Sequence, residues 1–414
     1  VNQYEELADQ YGTPLYVYDL DRVAEARHDL RTSLPDEVEI YYALKANPHP
    51  QVAGALRSGE GRECRAEISS VGELAAALTA GFRASEILYT GPGKTDGELD
   101  EAIGKGVKTF CVESLTDLQH VGAVALRHGV VADCLLRINS ATASATTSIR
   151  MTGTPSQFGI DSETLVDAMP ELRAVPGTRI TGLHFFPLSN ARDEASLIGE
   201  FRHTIAYAAG LAEETGLTLE FLDIGGGFAH PYGAPGERPV YRELRTELAA
   251  ALDEHFPHWR EGAPRIAVET GRYQTSGAGT LLTRVVNIKV SRGRKFVVID
   301  AGINTFGGMS GLGRLLPVAV EPEYTGSAEA TELTDVASLA GPLCTPGDIL
   351  GREIRLPELA PGDLVTIPNA GAYGVTASLL MFLGRPAPVE VVLKGGKVVS
   401  ASRLEHHRTP ATPG

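Results

Sequence analysis

Leu222-Asp-Ile-Gly-Gly-Gly-Phe228 decides how this chain is read. The apolar run Leu219 to Ile224 stops at three glycines, whose bare backbone N–H groups admit a close anion at the expected start of the next helix. A doubly wound α/β sheet places its glycine loop after the first strand. Here six comparable runs come earlier: Glu39 to Leu44, Cys64 to Ile68, Ile87 to Thr90, Thr109 to Val112, Ala132 to Ile138 and Ile180 to Phe185. An eighth, Ile266 to Glu269, follows. Eight β/α units predict an α/β chain built as a (β/α)8 TIM-like barrel, whose phosphate site ordinarily lies after strands seven and eight. By itself a glycine triplet is more often only a tight turn. No Gly-Lys-Ser/Thr follows it, so it is neither a P-loop nor a Rossmann fingerprint.

Between these runs, Gly72 to Thr79, Leu115 to Ala125 and Glu200 to Glu214 space their apolar residues three and four apart, as outer helices do. Beyond about residue 276 the pattern becomes strand-like, in Thr283 to Val290, Lys295 to Asp300, Asp363 to Ile367 and Val389 to Leu393. The expected division is therefore a barrel over 25–275, a C-terminal β-rich domain over 276–405 and a frayed tail over 406–414. The N-terminal segment 1–24 contains Pro14 to Tyr18, which has no helix before it to complete a β/α unit and is expected to join the β domain.

The 414 residues suffice for such a two-part chain, and 43% hydrophobic with 21% charged residues is ordinary globular composition. With 37 Lys and Arg against 52 Asp and Glu, the net charge of −15 argues against nucleic acid or an anionic membrane as partner. No apolar stretch is long enough to span a bilayer, and Val1 to Tyr18 carries charges where a signal peptide is apolar, so a cytoplasmic location is expected. Cys64, Cys111, Cys134 and Cys344 form no C-x-x-C pair, which predicts free thiols and no metal site. His255 and His258, separated by Phe256-Pro257, read as surface histidines.

Chemistry is expected at the C-terminal ends of the barrel strands. Lys45, in Tyr41-Tyr-Ala-Leu-Lys-Ala-Asn47, ends strand one among apolar neighbours; desolvated there, it would have the lowered pKa that suits Schiff-base chemistry. Glu269 and Arg272, in Val268-Glu-Thr-Gly-Arg-Tyr273, end strand eight at the same mouth. A carboxylate can keep a heteroaromatic nitrogen protonated, and a guanidinium can pair with a phosphate. Taken singly, the lysine would be a surface residue and the other two a salt bridge.

In combination they resemble the fold type III pyridoxal-phosphate decarboxylases, the diaminopimelate, ornithine and arginine decarboxylase family. The likeness covers nearly the whole chain: YALKAN (Tyr42 to Asn47), SSVGEL (Ser69 to Leu74), LRIN (Leu136 to Asn139), QFGI (Gln157 to Ile160), GLHF (Gly182 to Phe185), DIGGGF (Asp223 to Phe228), ETGR (Glu269 to Arg272), GPLCTPGD (Gly341 to Asp348) and NAGAYG (Asn369 to Gly374). The resemblance implies that Lys45 binds pyridoxal 5'-phosphate covalently and that Glu269 pairs with its pyridine nitrogen. It implies further that Gly226, Gly227, Arg272, Ser189 and Tyr373 hold the phosphate, with Glu67 and Arg137 around the ring. Cys344 would reach the neighbouring subunit's site and protonate the carbanion left by CO2, which implies a homodimer with shared sites.

Three departures from the family pattern bear on the substrate. The usual H-F-H-V-G-S reads His184-Phe-Phe-Pro-Leu-Ser189, so Phe186 replaces the histidine that stacks on the cofactor; a ring can still stack, but without a proton role. His184 fills the other histidine position and is not expected to substitute for it. Thr345 stands where an acidic residue usually grips the distal amine, leaving Asp348 as the remaining candidate for binding one. Gly307 to Ala319 replaces the R-P-x-L-Y-x-A-x-H segment of diaminopimelate decarboxylases with a glycine-rich stretch. Together these resemble a branch of siderophore and antibiotic assembly that decarboxylates amino acids held on a citryl group or a carrier protein, with a diamino acid substrate still open. Diaminopimelate decarboxylation, a racemase of the alanine racemase type and a non-catalytic cofactor-binding regulator are the alternatives. The GPLC motif weighs against racemisation, and retention of Lys45, Glu269, Arg272, Cys344 and Tyr373 against a regulator.

Overall fold

The computed structural model describes residues 2–141, 152–307, 319–324 and 332–412. Two compact units emerge, one of Val23–His230 with Arg238–Gln274, the other of Val1–Arg22, Pro231–Glu237 and Thr275–Gly414.

In the first unit all eight predicted runs are strands: Glu39–Ala43, Arg65–Ile68, Ile87–Tyr89, Thr109–Val112, Ala132–Asn139, Thr178–His184, Phe221–Asp223 and Arg265–Thr270. Each pairs in parallel with the next, and the eighth closes on the first with Glu269 opposite Tyr41 and Thr270 opposite Tyr42. Helices start where side chains satisfy their free N–H groups. Ser70 Oγ accepts from Glu73 N ahead of Val71–Thr79, while the Glu73 carboxylate accepts from Ser69 N. Ser114 caps Leu115–Arg127 and Asp193 caps Glu194–Thr215, which ends at Gly216 with φ +63°.

An apolar layer fills the barrel, with Tyr41, Leu88, Cys111, Leu135, Phe221 and Ala267 buried together. Side chains two positions apart on a strand share a face, so one step further toward the C-terminal ends the same face presents Ala43 and then Lys45, Thr90, Glu113, Arg137, Asp223 and Glu269. A polar layer thus sits directly on the apolar one. Gly182, two before His184 on strand six, leaves room for its neighbour, because a Cβ there would collide with the Phe221 carbonyl oxygen.

The second unit is β-rich. Leu15–Asp19 lies within its sheet, antiparallel to Gly279–Ser291 and parallel to Val389–Lys394. Contrary to the reading of the sequence, a helix does precede this strand: Asn2–Tyr11 packs on the β sheet, where Leu7 and Ala8 join Leu15, Val17, Leu282, Leu364, Val391 and Leu393. Tyr4, Leu7, Ala8 and Tyr11 carried the helical spacing that signals it. Residues 406–412 have no regular structure and are exposed.

One further expectation needs correction. The glycine triplet does not open a helix; the next one begins only at Leu244. Between them the chain runs as a strap whose Pro231–Glu237 portion belongs to the β-rich unit. There Tyr232 stacks on Phe306 at 4.8 Å between ring centres and donates to the Tyr373 carbonyl at 2.9 Å. Asn369 donates from its amide to the carbonyls of Ala234 and Gly236 at 2.7 and 3.1 Å, which an aspartate could not do.

Candidate active site

The barrel brings Lys45, Glu67, Phe186, Gly226 and Glu269 together. Lys45 Nζ lies 3.6 Å from Glu67 Oε2 and 5.6 Å from the centre of the Phe186 ring. Its side chain is 45% exposed, so the amine is reachable rather than desolvated as the apolar flanking sequence predicted. Glu67 is buried and accepts from Thr90 and Ser69, the latter at 3.3 Å.

Gly226 and Gly227 form a cradle that side chains would fill. A Cβ at Gly226 would stand 2.7 Å from the Glu269 carbonyl oxygen and 3.3 Å from Phe186 Cε2. Gly227 has φ +111°, and a Cβ there would run into Leu188. The loop bearing Ser189, after strand six, lies against this cradle, with Ala191 N donating to the Gly227 carbonyl at 2.8 Å. Ser189 itself is half-buried. Arg272 begins the short helix Arg272–Thr275 just past strand eight and is half-buried.

Beneath Glu269 lies a buried acid–imidazole group that the motifs had not singled out. His184 Nε2 is 2.8 Å from Glu269 Oε1 and 3.7 Å from Asp223 Oδ2. Burial pulls the Glu269 carboxyl upward, but His184 beside it and Lys45 nearby outweigh this and hold it below the usual carboxylate range. Burial and then the Glu269 charge push Asp223 well above the usual carboxylate range. The two carboxyls are thus pushed in opposite directions, Asp223 toward its neutral form and Glu269 toward its charged one. Arg137 Nη1 stands 3.3 Å from Glu113 Oε1, with its guanidinium 4.6 Å from the Phe158 ring centre. Glu113 also accepts from Gly159 N at 2.7 Å, which anchors the QFGI motif. Strand alternation was the signal for Glu113 and Asp223: both continue inward-facing positions.

In the β-rich unit, Cys344 is exposed on a turn and Thr345 is half-buried beside it. Asp348 is buried, and both its oxygens are taken: Oδ1 accepts from Ile303 N at 2.8 Å and Oδ2 from Leu343 N at 2.7 Å. Its carboxylate shapes the Cys344 turn, so a substrate amine there would compete with these two backbone N–H groups. Gly302 and Gly341 lack side chains where a Cβ would collide with it. Tyr373 is half-buried with φ +52°. Of the glycine-rich stretch Gly307 to Ala319, residues 308–318 lie outside the described residues.

His255 and His258 face separate carboxylates, Glu254 at 3.9 Å and Glu261 at 3.3 Å, as surface histidines do.

A reachable amine, a cradle only glycine permits and an ionised buried carboxylate fit a phosphorylated, aldehyde-bearing heteroaromatic ring. Comparison with known proteins agrees. The family model for the pyridoxal binding domain of pyridoxal-dependent decarboxylases matches residues 20–276. The chain is 33% identical over 398 residues to the L-glutamyl-[BtrI acyl-carrier protein] decarboxylase of Niallia circulans, spanning 94% of this chain and 91% of that one. It is 28% identical over 391 residues to the 2-[(L-alanin-3-ylcarbamoyl)methyl]-2-hydroxybutanedioate decarboxylase of Staphylococcus aureus, spanning 91% and 93%. The crystal structure of Helicobacter pylori diaminopimelate decarboxylase complexed with L-lysine is similar with a TM-score of 0.79, over 95% of each chain at 27% identity. This chain thus belongs to the pyridoxal-dependent decarboxylases of fold type III, lyases that use pyridoxal phosphate to remove a carboxylate from an amino acid.

Proposed function

We propose that the amino acid this chain decarboxylates is joined through its distal end to a larger group, a carrier protein or a hydroxy acid, and is not a free diamino acid. The observation that carries this reading is the Cys344 turn. Thr345 has no charge, and Asp348 is buried with each oxygen already accepting from a backbone N–H, so the turn presents no exposed carboxylate to a distal ammonium. The relatives named for a carrier-bound glutamyl group and for an alanine joined to a hydroxybutanedioate support the same direction.

In the barrel, Lys45 would hold the cofactor's aldehyde carbon, Gly226, Gly227, Ser189, Arg272 and Tyr373 its phosphate, and Phe186 would cover the ring. Pyridoxal phosphate, bound there, supplies an electron sink for the pair left when CO2 departs. Glu269, held toward its charged form by His184 and Lys45, would keep the ring nitrogen protonated. Glu67 lies beside the Lys45 amine, and Arg137, held by Glu113, is placed to orient an anionic group of cofactor or substrate. Cys344, exposed on its turn, would deliver the proton that replaces CO2. That division places the cofactor contacts in residues 25–275 apart from Tyr373, which the β-rich region 276–405 would supply together with the proton donor Cys344, in a cytoplasmic homodimer whose subunits share sites. The free thiols fit a reducing compartment.

The test is a panel of L- and D-diamino acids, their acylated and hydroxy-acid-linked forms, and glutamyl carrier protein, with CO2 release and product mass as readouts. Loss of one carboxyl from a linked substrate, and none from the free diamino acids, is the expected result. Turnover confined to free diaminopimelate would overturn the reading, and racemised substrate without CO2 would favour the racemase alternative. Mixing Lys45→Ala with Cys344→Ala subunits should restore part of the activity if sites are shared.

A further inference from the structure

Cys111 does not figure in the chemistry above, yet it touches the group that sets the charge of Glu269. It lies on strand four, two positions before Glu113, and its Sγ is 2.8 Å from His184 Nδ1. The other ring nitrogen of His184 faces Glu269 Oε1 at 2.8 Å and Asp223 Oδ2 at 3.7 Å. All four side chains are buried. His184 Nε2 and Glu269 Oε1 are close but off the line of a well-aligned hydrogen bond, so the partner at Nδ1, Cys111, is the contact left to fix the ring.

A neutral imidazole carries one N–H, and the partner of one nitrogen determines which of the two bears it. Burial pushes the Cys111 thiol well above its usual value, with Glu113 adding to the rise and Lys94 and Arg137 opposing it. The sulfur therefore keeps its proton at neutral pH and can donate it. The reverse arrangement, with N–H toward sulfur, would turn the bare Nε2 lone pair against the Glu269 carboxylate in a water-poor interior, acceptor facing acceptor. The Glu269 side, off the line of a hydrogen bond, weighs only weakly, and the S–H on the Nδ1 side decides the tautomer.

We propose that Cys111 is a positioning residue whose S–H donates to His184 Nδ1 and fixes the proton on Nε2, so that an N–H and not a lone pair stands beside the Glu269 carboxylate. Its consequence for catalysis rests on Glu269 pairing with the cofactor's ring nitrogen; the tautomer itself does not. The groups around His184 are Cys111 from strand four, Asp223 from strand seven and Glu269 from strand eight, with Lys45 and Glu67 acting on the two carboxyls from strands one and two.

The experiment is 15N NMR of the full chain labelled at histidine, with and without pyridoxal phosphate, the His184 signal being identified by its loss in His184→Gln. A single Nε2–H tautomer is expected, retained in Cys111→Ser, which keeps a donor. In Cys111→Ala and Cys111→Val the single-tautomer pattern should give way to a mixture, with a fall in kcat that Cys111→Ser restores. Wild-type protein carrying the proton on Nδ1, or Cys111→Ala with an unchanged His184 pattern, would overturn the proposal. Glu269→Gln tests the ring-nitrogen reading on its own, because it alters the cofactor's absorption without touching the Cys111–His184 contact.

Discussion

Gly271 and Ala46 lie so close that a Cβ on the glycine would stand 2.7 Å from the Ala46 Cβ. The contact lies at the closing seam of the barrel, between strands eight and one, where Glu269 is registered opposite Tyr41. Each of these two residues is a direct chain neighbour of a site residue, Arg272 or Lys45. The absence of one methyl group thus lets the two strand ends, which bring the amine and the guanidinium from opposite ends of the barrel sequence, meet.

Gly271→Ala should therefore force these ends apart. Overpacking of this kind costs about 1–3 kcal/mol. A lower thermal midpoint is expected together with weaker pyridoxal phosphate binding in equilibrium dialysis. A variant that melts lower but binds the cofactor as wild type does would show that the seam supports the fold without setting the site.

Glu269→Gln removes the buried charge while keeping the shape. The variant should bind pyridoxal phosphate, shift its visible absorption and lose on the order of 100-fold or more in kcat, the scale seen when one preorganised electrostatic group is deleted. Wild-type turnover in Glu269→Gln would remove the carboxylate from the reaction.

Asn369→Asp would place a carboxylate against the carbonyls of Ala234 and Gly236, which now receive its amide hydrogens. An acceptor facing two acceptors costs about 1–3 kcal/mol. The loss should appear in denaturant titrations at pH 8 and shrink toward pH 4, where the new carboxyl regains a proton to donate. Equal stability of the two proteins at pH 8 would mean that the strap is held by Tyr232 and its ring contact instead.

Glu390 makes the stability of the β-rich unit depend on pH. Burial raises its carboxyl from 4.5 to about 7, against a partly opposing hydrogen bond from Tyr18 at 2.8 Å. The folded chain then holds this proton more tightly than the unfolded one. Its stabilising contribution is complete below about pH 4.5 and is lost as the pH rises through 7. Glu390→Gln, which can still accept from Tyr18, should gain about 1–3 kcal/mol over wild type at pH 8 and little at pH 4. Identical pH profiles for the two proteins would assign the dependence elsewhere.

Local pattern carried much of this protein. The eight strand runs, the outer helices and the placing of Lys45 and Glu269 at strand ends were legible because apolar periodicity is a property of neighbouring residues, whereas Glu67 and Arg137 entered only through the family resemblance. The helix Asn2–Tyr11 is equally legible from the apolar spacing of Tyr4, Leu7, Ala8 and Tyr11. Tertiary structure decided the rest. Whether Asp348 is open to an amine depends on Ile303 N, more than forty positions earlier, and on Leu343 N meeting it in space. The charge on Glu269 depends on His184, and the aim of His184 on Cys111, three residues from three different strands. Burial and distance through space set the state of an ionisable group, and neither is a property of the residues beside it in the chain.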